Sequence, residues 1–244
     1  MTAQRVAVIS GASRGIGRAI ATMLGEQGYA VVVGYAARRA QADEVVDAIA
    51  ASGGRGLAAQ ADVADEAAVA RMFDTAEAEF GGVDVVVNAA GRMYLAPVAE
   101  LDLDQLDAMH RTNIRGTFVM AREAARRVRP GGAIVNFSTT QVVLQFPTYG
   151  AYAASKGAVE AMTLSLARDL RGRDVTANAV APGATATDMF LDGKSEELVE
   201  RLSLQAPLER LGQPEDIAAL VAFLASPAGH WVNGQVIRAN GGMG

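Results

Sequence analysis

Cysteine is absent from the 244 residues, which excludes disulfides and thiolate-held metals, and His110 and His230 are the only imidazoles. A zinc enzyme is not expected and no metal site is assigned. A basic excess is also missing. Lys and Arg number 22 against 27 Asp and Glu, with a net charge of -5 and the signs interspersed, so no basic face awaits nucleic-acid phosphates. No apolar run approaches a membrane span, and the start runs directly into RVAVIS, too short for a signal peptide and without a cleavage site. Internal repeats, low-complexity tracts and interdomain linkers are lacking too. These absences point to a cytoplasmic protein with a small-molecule partner. Half of the residues are hydrophobic, enough for one large domain spanning 1–244.

What is present is an alternation. Short β-branched runs at Val6–Ser10, Ala30–Gly34, Val83–Asn88, Ala133–Ser138 and Val175–Val180 read as strands buried on both faces. Leu57–Gln60 and Gln235–Arg238 complete the set by their position in the alternation. Helical spacing covers Ile16–Gln27, Gln41–Ala51, Glu66–Phe80, Leu103–Arg129, Tyr152–Arg171 and Pro214–Leu224, with Pro214 at a first helical position. Gly53-Gly54 and Gly131-Gly132 mark passages from helix to strand. The expected fold is α/β, a single-domain Rossmann-like, doubly wound sheet of seven parallel strands with helices on both faces.

The segment VAVISGASRGIGRAIA places Gly11, Gly15 and Gly17 immediately after a strand and at the opening of a helix. Gly11 allows a tight turn, Gly15 lets the backbone approach a pyrophosphate, and Gly17 lets helix and sheet pack closely, with helix-terminal N–H groups facing the phosphates. The second strand ends Val33-Gly34-Tyr35-Ala36, without the carboxylate that would hold a ribose 2′-hydroxyl and repel a 2′-phosphate. Arg14, Arg38 and Arg39 offer guanidinium groups there, so NADP(H) is expected in preference to NAD(H). A solvated helix start is the structural alternative for Arg38 and Arg39.

Tyr152 and Lys156 stand four residues apart in YAASK, so a helix projects both from one face. A phenol titrates near pH 10, and a neighbouring ammonium would lower that value and make a usable proton donor.

Taken together, SGASRGIG, NAAG at Asn88–Gly91, Asn113, YAASK and APG at Ala181–Gly183 resemble the short-chain dehydrogenase/reductase family, in its order and spacing and over essentially the whole chain. The pattern looks like the 3-oxoacyl-[acyl-carrier-protein] reductase branch. The resemblance implies hydride transfer between a nicotinamide and a carbon bearing a carbonyl or hydroxyl. It makes Tyr152 the proton donor or acceptor and Lys156 the group that lowers its pKa and binds the nicotinamide ribose, with Asn113 holding a relay water. The substrate-orienting hydroxyl falls on Thr139 at the family's common spacing, with Ser138 second and Thr140 third. Gly11, Ser13, Arg14, Gly15, Ile16, Gly17 and Arg38 are assigned to the cofactor. So are Asp62 and Val63 at the adenine, Asn88, Ala89, Ala90 and Gly91 along the adenosine ribose, and Pro182, Gly183 and Thr187 beyond. The lesser alternatives are that Asp62 caps the helix starting near Asp65 or stabilises a turn, and that Thr187 caps a helix ahead of Met189.

The substrate is expected to meet Tyr152 between Val142–Gly150 and Met189–Gln205 at carboxyl ends of strands. An apolar lining from Met93, Tyr94, Val143, Leu144, Phe146, Met189 and Phe190 favours a ketone or 3-oxoacyl compound. Arg122, Arg126, Arg127 and Arg129 could dock an acidic carrier, although a solvated helix face explains them better. Neither histidine is assigned to catalysis. The resemblance further implies a homotetramer. Readings kept open are a sugar or polyol dehydrogenase and a non-catalytic NADP(H)-binding sensor, against which the intact Tyr152, Lys156 and Asn113 count.

Overall fold

The computed structural model describes residues 4–243. The strands β1 (Val6–Ser10), β2 (Ala30–Tyr35), β3 (Arg55–Gln60), β4 (Val83–Asn88), β5 (Val128–Phe137), β6 (Val175–Pro182) and β7 (Val236–Ala239) form one sheet, ordered β3-β2-β1-β4-β5-β6-β7. Every neighbouring pair is parallel. Strands β1, β2, β4 and β6 are buried along their whole length, which is why their sequences are mostly apolar on both faces rather than alternating, with Asp84, Asn88, Thr176 and Asn178 among the buried polar exceptions.

The alternation of side chains along β1 divides the core into two layers. Val6 and Val8 pack on one face with α3 (Glu66–Phe80), α5 (Gly116–Arg127) and α7 (Gly150–Asp169). Ala7 and Ile9 pack on the other with α1 (Gly15–Glu26), α2 (Arg39–Ala51) and α10 (Pro214–Ala225). The remaining helices are α4 (Leu103–His110), α6 (Gln141–Leu144), α8 (Asp188–Leu191) and α9 (Glu196–Ser203). No helix among the described residues is long and apolar enough to cross a membrane. Pro214 does open a helix, where Gln213 and Asp216 form a reciprocal capping box.

Most expected ends shift by at most two residues, and two elements differ by more. The helix anticipated over Leu103–Arg129 is broken into α4, a wide π turn at Arg111–Arg115, and α5. No proline or glycine interrupts the chain within Arg111–Arg115, so nothing in the sequence marks the widened turn. The chain passes into β5 at Val128, because Val128 pairs with Val83 ahead of a register shift that accommodates Gly131 and Gly132 before Ala133 pairs with Val85. The sheet reverses its winding between β1 and β4, and the crevice that this switch opens lies at the carboxyl ends of the strands.

Candidate active site

At the switch point the chain leaves β1 and enters α1 through the glycine turn. Gly11 (φ 66°) and Gly15 (φ 53°) take left-handed conformations. A Cβ on Gly11 would stand 2.8 Å from the backbone N and Cα of Ala90, and one on Gly17 would overlap the Gly11 carbonyl. These two glycines are therefore demanded by the chain's own packing. Gly15 faces Thr187, whose methyl group would lie 3.4 Å from an added Cβ. No side chain caps the first turn of α1, so its N–H groups remain available as an anion cradle.

A cleft of about 600 Å³ extends from Arg38 past this cradle to Tyr152 and Lys156. Ser13, Arg14, Ile16, Asp62, Val63, Ala89, Ala90, Gly91, Pro182, Gly183 and Thr187 also line it. Asn88 and Asn113 are buried and stand outside its lining. Asn88 donates to the Asn136 side chain (2.5 Å), which donates to Thr163 (2.9 Å) on α7, tying the cofactor-side strand to the helix of the Tyr-Lys pair. Asp62 accepts from the Ala64 N–H (2.9 Å) and pairs with Arg111 (2.6 Å). Burial alone would raise its pKa, but these two partners outweigh burial and lower it. Thr187 caps the short α8, so the capping alternative for it is realised alongside its place in the cleft.

The two arginines of the helix start separate. Arg38 lines the cleft and, among the described residues, its one side-chain partner is Gln41, at 3.5 Å, whereas Arg39 turns to Asp43 (2.8 Å). Arg14 reaches Asp188 at 3.7 Å, both exposed, which links the glycine turn to α8. Arg122, Arg126 and Arg127 are neutralised by Glu66, Glu123, Asp74 and Glu77, and Arg129 by Asp84, so the cluster is an internal ion-pair network rather than a free cationic patch.

Tyr152 and Lys156 project from the start of α7 into the cleft. The Lys156 ammonium donates to the Phe137 carbonyl (2.8 Å), and burial pulls its pKa down to about 8. Burial likewise pushes the Tyr152 phenol up to about 12, opposed by its hydrogen bond with Thr139 and reinforced by Tyr149. Lys156 is not among the groups acting on the phenol, whose direction burial sets. Of the three hydroxyls at the end of β5, Thr139 is the one that meets Tyr152. Ser138 donates to Glu160 (2.6 Å), and Thr140 to the Ala181 and Pro182 carbonyls (3.3 and 3.1 Å).

Asn113 sits in the π turn, fully buried. Both its amide N–H groups are engaged, one by the Arg92 carbonyl (2.8 Å) and one by Ser155 (3.0 Å), and its Oδ1 accepts from the Arg92 N–H (2.8 Å).

Met93, Leu144, Phe146, Met189 and Phe190 line the substrate end as expected, whereas Tyr94 and Val143 are not part of its lining. Tyr149, Leu202 and Met243 join them without any sequence motif to announce them. Tyr149 stands three residues before Tyr152, at the edge of the loop where Thr148 holds φ 72°. His110 and His230 lie away from the cleft, and His230 pairs with Asp174 (2.8 Å).

A glycine cradle at the switch point, beside a half-buried Tyr152 and a buried Lys156, defines a dinucleotide-dependent oxidoreductase site. Comparison with known proteins agrees. The family model described as Enoyl-(Acyl carrier protein) reductase matches residues 11–244. A short-chain type dehydrogenase/reductase of Picea abies is 48% identical over 98% of this chain and 92% of its own. A chloroplastic NADPH-dependent aldehyde reductase-like protein of Arabidopsis thaliana is 42% identical over 98% and 94%. A short chain dehydrogenase from Burkholderia cenocepacia, solved in complex with NADP, superposes with a TM-score of 0.92 at 38% identity, covering 98% of this chain and 97% of that one. The chain belongs to the short-chain dehydrogenase/reductase family and is an NAD(P)-dependent oxidoreductase.

Proposed function

We propose that the chain is an NADP(H)-dependent reductase of ketones or 3-oxoacyl compounds, working through Tyr152. The observation that carries this reading is the meeting, in one cleft, of the Thr139, Tyr152 and Lys156 side chains with an uncapped helix N-terminus and the Arg14 and Arg38 guanidinium groups. The cradle fits a dinucleotide: no side chain fills it, no carboxylate follows β2, and Arg38 has only a neutral partner. The relatives named for NADPH or solved with NADP support the same preference.

Bound NADPH supplies the hydride for the carbonyl carbon. Thr139 donates a hydrogen bond that orients the carbonyl oxygen, and Tyr152, protonated at neutral pH, passes its proton to that oxygen. Lys156 is the cation that stabilises the phenolate left behind. The side chain of Asn113, with both N–H groups spent within the protein, positions the Arg92 segment beside Lys156, alongside the relay-water role that the resemblance implies for this residue. Met189–Gln205 covers the substrate end. A homotetramer belongs to the same reading, supported by Phe118 and Leu164 standing in solvent on α5 and α7.

The test is NADPH oxidation with acetoacetyl and longer 3-oxoacyl thioesters, simple ketones, aldehydes and ketoses, with Tyr152→Phe as control. Turnover of thioesters or ketones, lost in the variant while NADPH binding persists, is expected. Turnover of ketoses alone would replace the reading by a polyol dehydrogenase, and tight NADPH binding without any turnover by a sensor.

A further inference from the structure

Glu160 follows Lys156 by four residues on α7, as Lys156 follows Tyr152, so the three side chains leave one helix face a turn apart. The face is fastened to the end of β5 at two successive residues. Lys156 holds the Phe137 carbonyl at 2.8 Å, and Glu160 takes the Ser138 hydroxyl at 2.6 Å. Ser138 is buried, and its hydroxyl has one proton to give. That proton goes to Glu160, away from the reacting end of the cleft. The next residue, Thr139, then presents its hydroxyl to Tyr152. The Ser138 N–H keeps the strand end in the sheet through the Val180 carbonyl (2.8 Å), and along the helix–strand pair the Asn136–Thr163 bond is the next side-chain tie, so the Glu160–Ser138 contact sets this end of the strand against the helix.

We propose that Glu160 is a positioning residue for carbonyl reduction: by holding Ser138 it fixes the strand end so that Thr139, and not Ser138, orients the substrate against Tyr152. The carboxylate touches neither substrate nor cofactor and acts through the Ser138 hydroxyl. A hydrogen bond to a charged acceptor is short and stronger than a neutral one, which suits it to locking a strand end.

The inference rests on the reductase reading above, and the experiment separates the two. Tyr152→Phe without loss of turnover would defeat the reading itself. With that control in hand, kcat, KM and NADPH Kd are measured for Glu160→Ala, Glu160→Gln, Ser138→Ala and the Glu160→Ala/Ser138→Ala pair. Glu160→Ala and Ser138→Ala should each lower kcat by about tenfold, the size of one lost charge-assisted bond, with NADPH Kd unchanged. The pair should fall no further than either single variant. Glu160→Gln, which can still accept from Ser138, should recover most of kcat and guards against a folding artefact. Multiplicative losses in the pair, an unchanged kcat in Glu160→Ala, or failure of Glu160→Gln to recover a lost kcat would each overturn the proposal.

Discussion

Lys156 donates its hydrogen bond to the Phe137 carbonyl, two residues before Thr139, rather than spending it on a carboxylate. No acid compensates its burial, so its pKa falls to about 8 while that of Tyr152 rises to about 12. The pair is therefore set for reduction at neutral pH, with a protonated phenol beside a lysine that is mostly an ammonium.

The pH dependence follows with a definite sign. kcat/KM for carbonyl reduction should be level below pH 8 and fall as Lys156 loses its proton, whereas alcohol oxidation should rise with pH because it needs phenolate. Stability obeys the same shifts. Folded Lys156 binds fewer protons than unfolded lysine between about pH 8 and 10.5, so stability rises with pH there. Folded Tyr152 binds more protons than unfolded tyrosine between about pH 10 and 12, so stability falls there. Denaturant titrations of Lys156→Met should show gains of about 2–3 kcal/mol below pH 8 that vanish by pH 10.5. A flat difference across that range would exclude a buried lysine of this kind.

The hydroxyls at the end of β5 should rank steeply. Thr139→Val removes the donor that meets Tyr152 while keeping its shape, and should lower kcat by about 10²–10³, as loss of a preorganised donor to a reacting oxygen does. Thr139→Ser should retain activity. Ser138→Ala should cost about tenfold only, since its hydroxyl already belongs to Glu160. Single-turnover rates with a ketone substrate check the ranking, and a Ser138 effect larger than that of Thr139 would move the orienting role to Ser138.

Cofactor preference should reside in Arg38 more than in Arg39. Arg38→Leu is expected to weaken NADPH binding by about ten- to a hundredfold, the range of a lost hydrogen bond to a charged group, with little change for NADH. Arg39→Leu should affect neither cofactor, its guanidinium being held by Asp43. Fluorescence titration with both dinucleotides measures this directly. Equal losses for NADPH and NADH in Arg38→Leu would mean that the guanidinium does not read the 2′-phosphate.

The sheet and the glycine turn were legible in the sequence because each leaves a local trace: β1, β2 and β4 are short runs rich in valine, and Gly11 and Gly17 are positions where no side chain fits. The π turn around Asn113 left none, since a single widened turn at Arg111–Arg115 carries no proline or glycine to mark it. The choice among Ser138, Thr139 and Thr140 depends on Glu160 and on the Ala181 and Pro182 carbonyls, partners brought in from distant segments. Ordering of the two pKa values was equally hidden. Spacing shows that Tyr152 and Lys156 share a face, but burial, a property of the packed fold, decides the direction in which each titrates.

Asn113 supplies the sharpest test of that hidden framework. Its amide closes both ends of the Arg92 peptide and holds Ser155, which in turn donates to the Tyr152 carbonyl (2.7 Å), so one side chain joins the segment after β4 to the first turn of α7. Asn113→Ala would leave the Arg92 N–H and C=O without these partners, at about 1–3 kcal/mol for each unpaired group that stays buried. Asn113→Asp keeps an acceptor for the Arg92 N–H but sets carboxylate oxygen against the Arg92 carbonyl, so it should not rescue the loss. Both variants should lose stability and kcat together, and a cofactor Kd that weakens in parallel would show the Gly91–Arg92 segment shifting beside Lys156. If instead Asn113→Ala loses kcat at full stability and unchanged Kd, the side chain acts on the proton path itself, as the water-relay role requires.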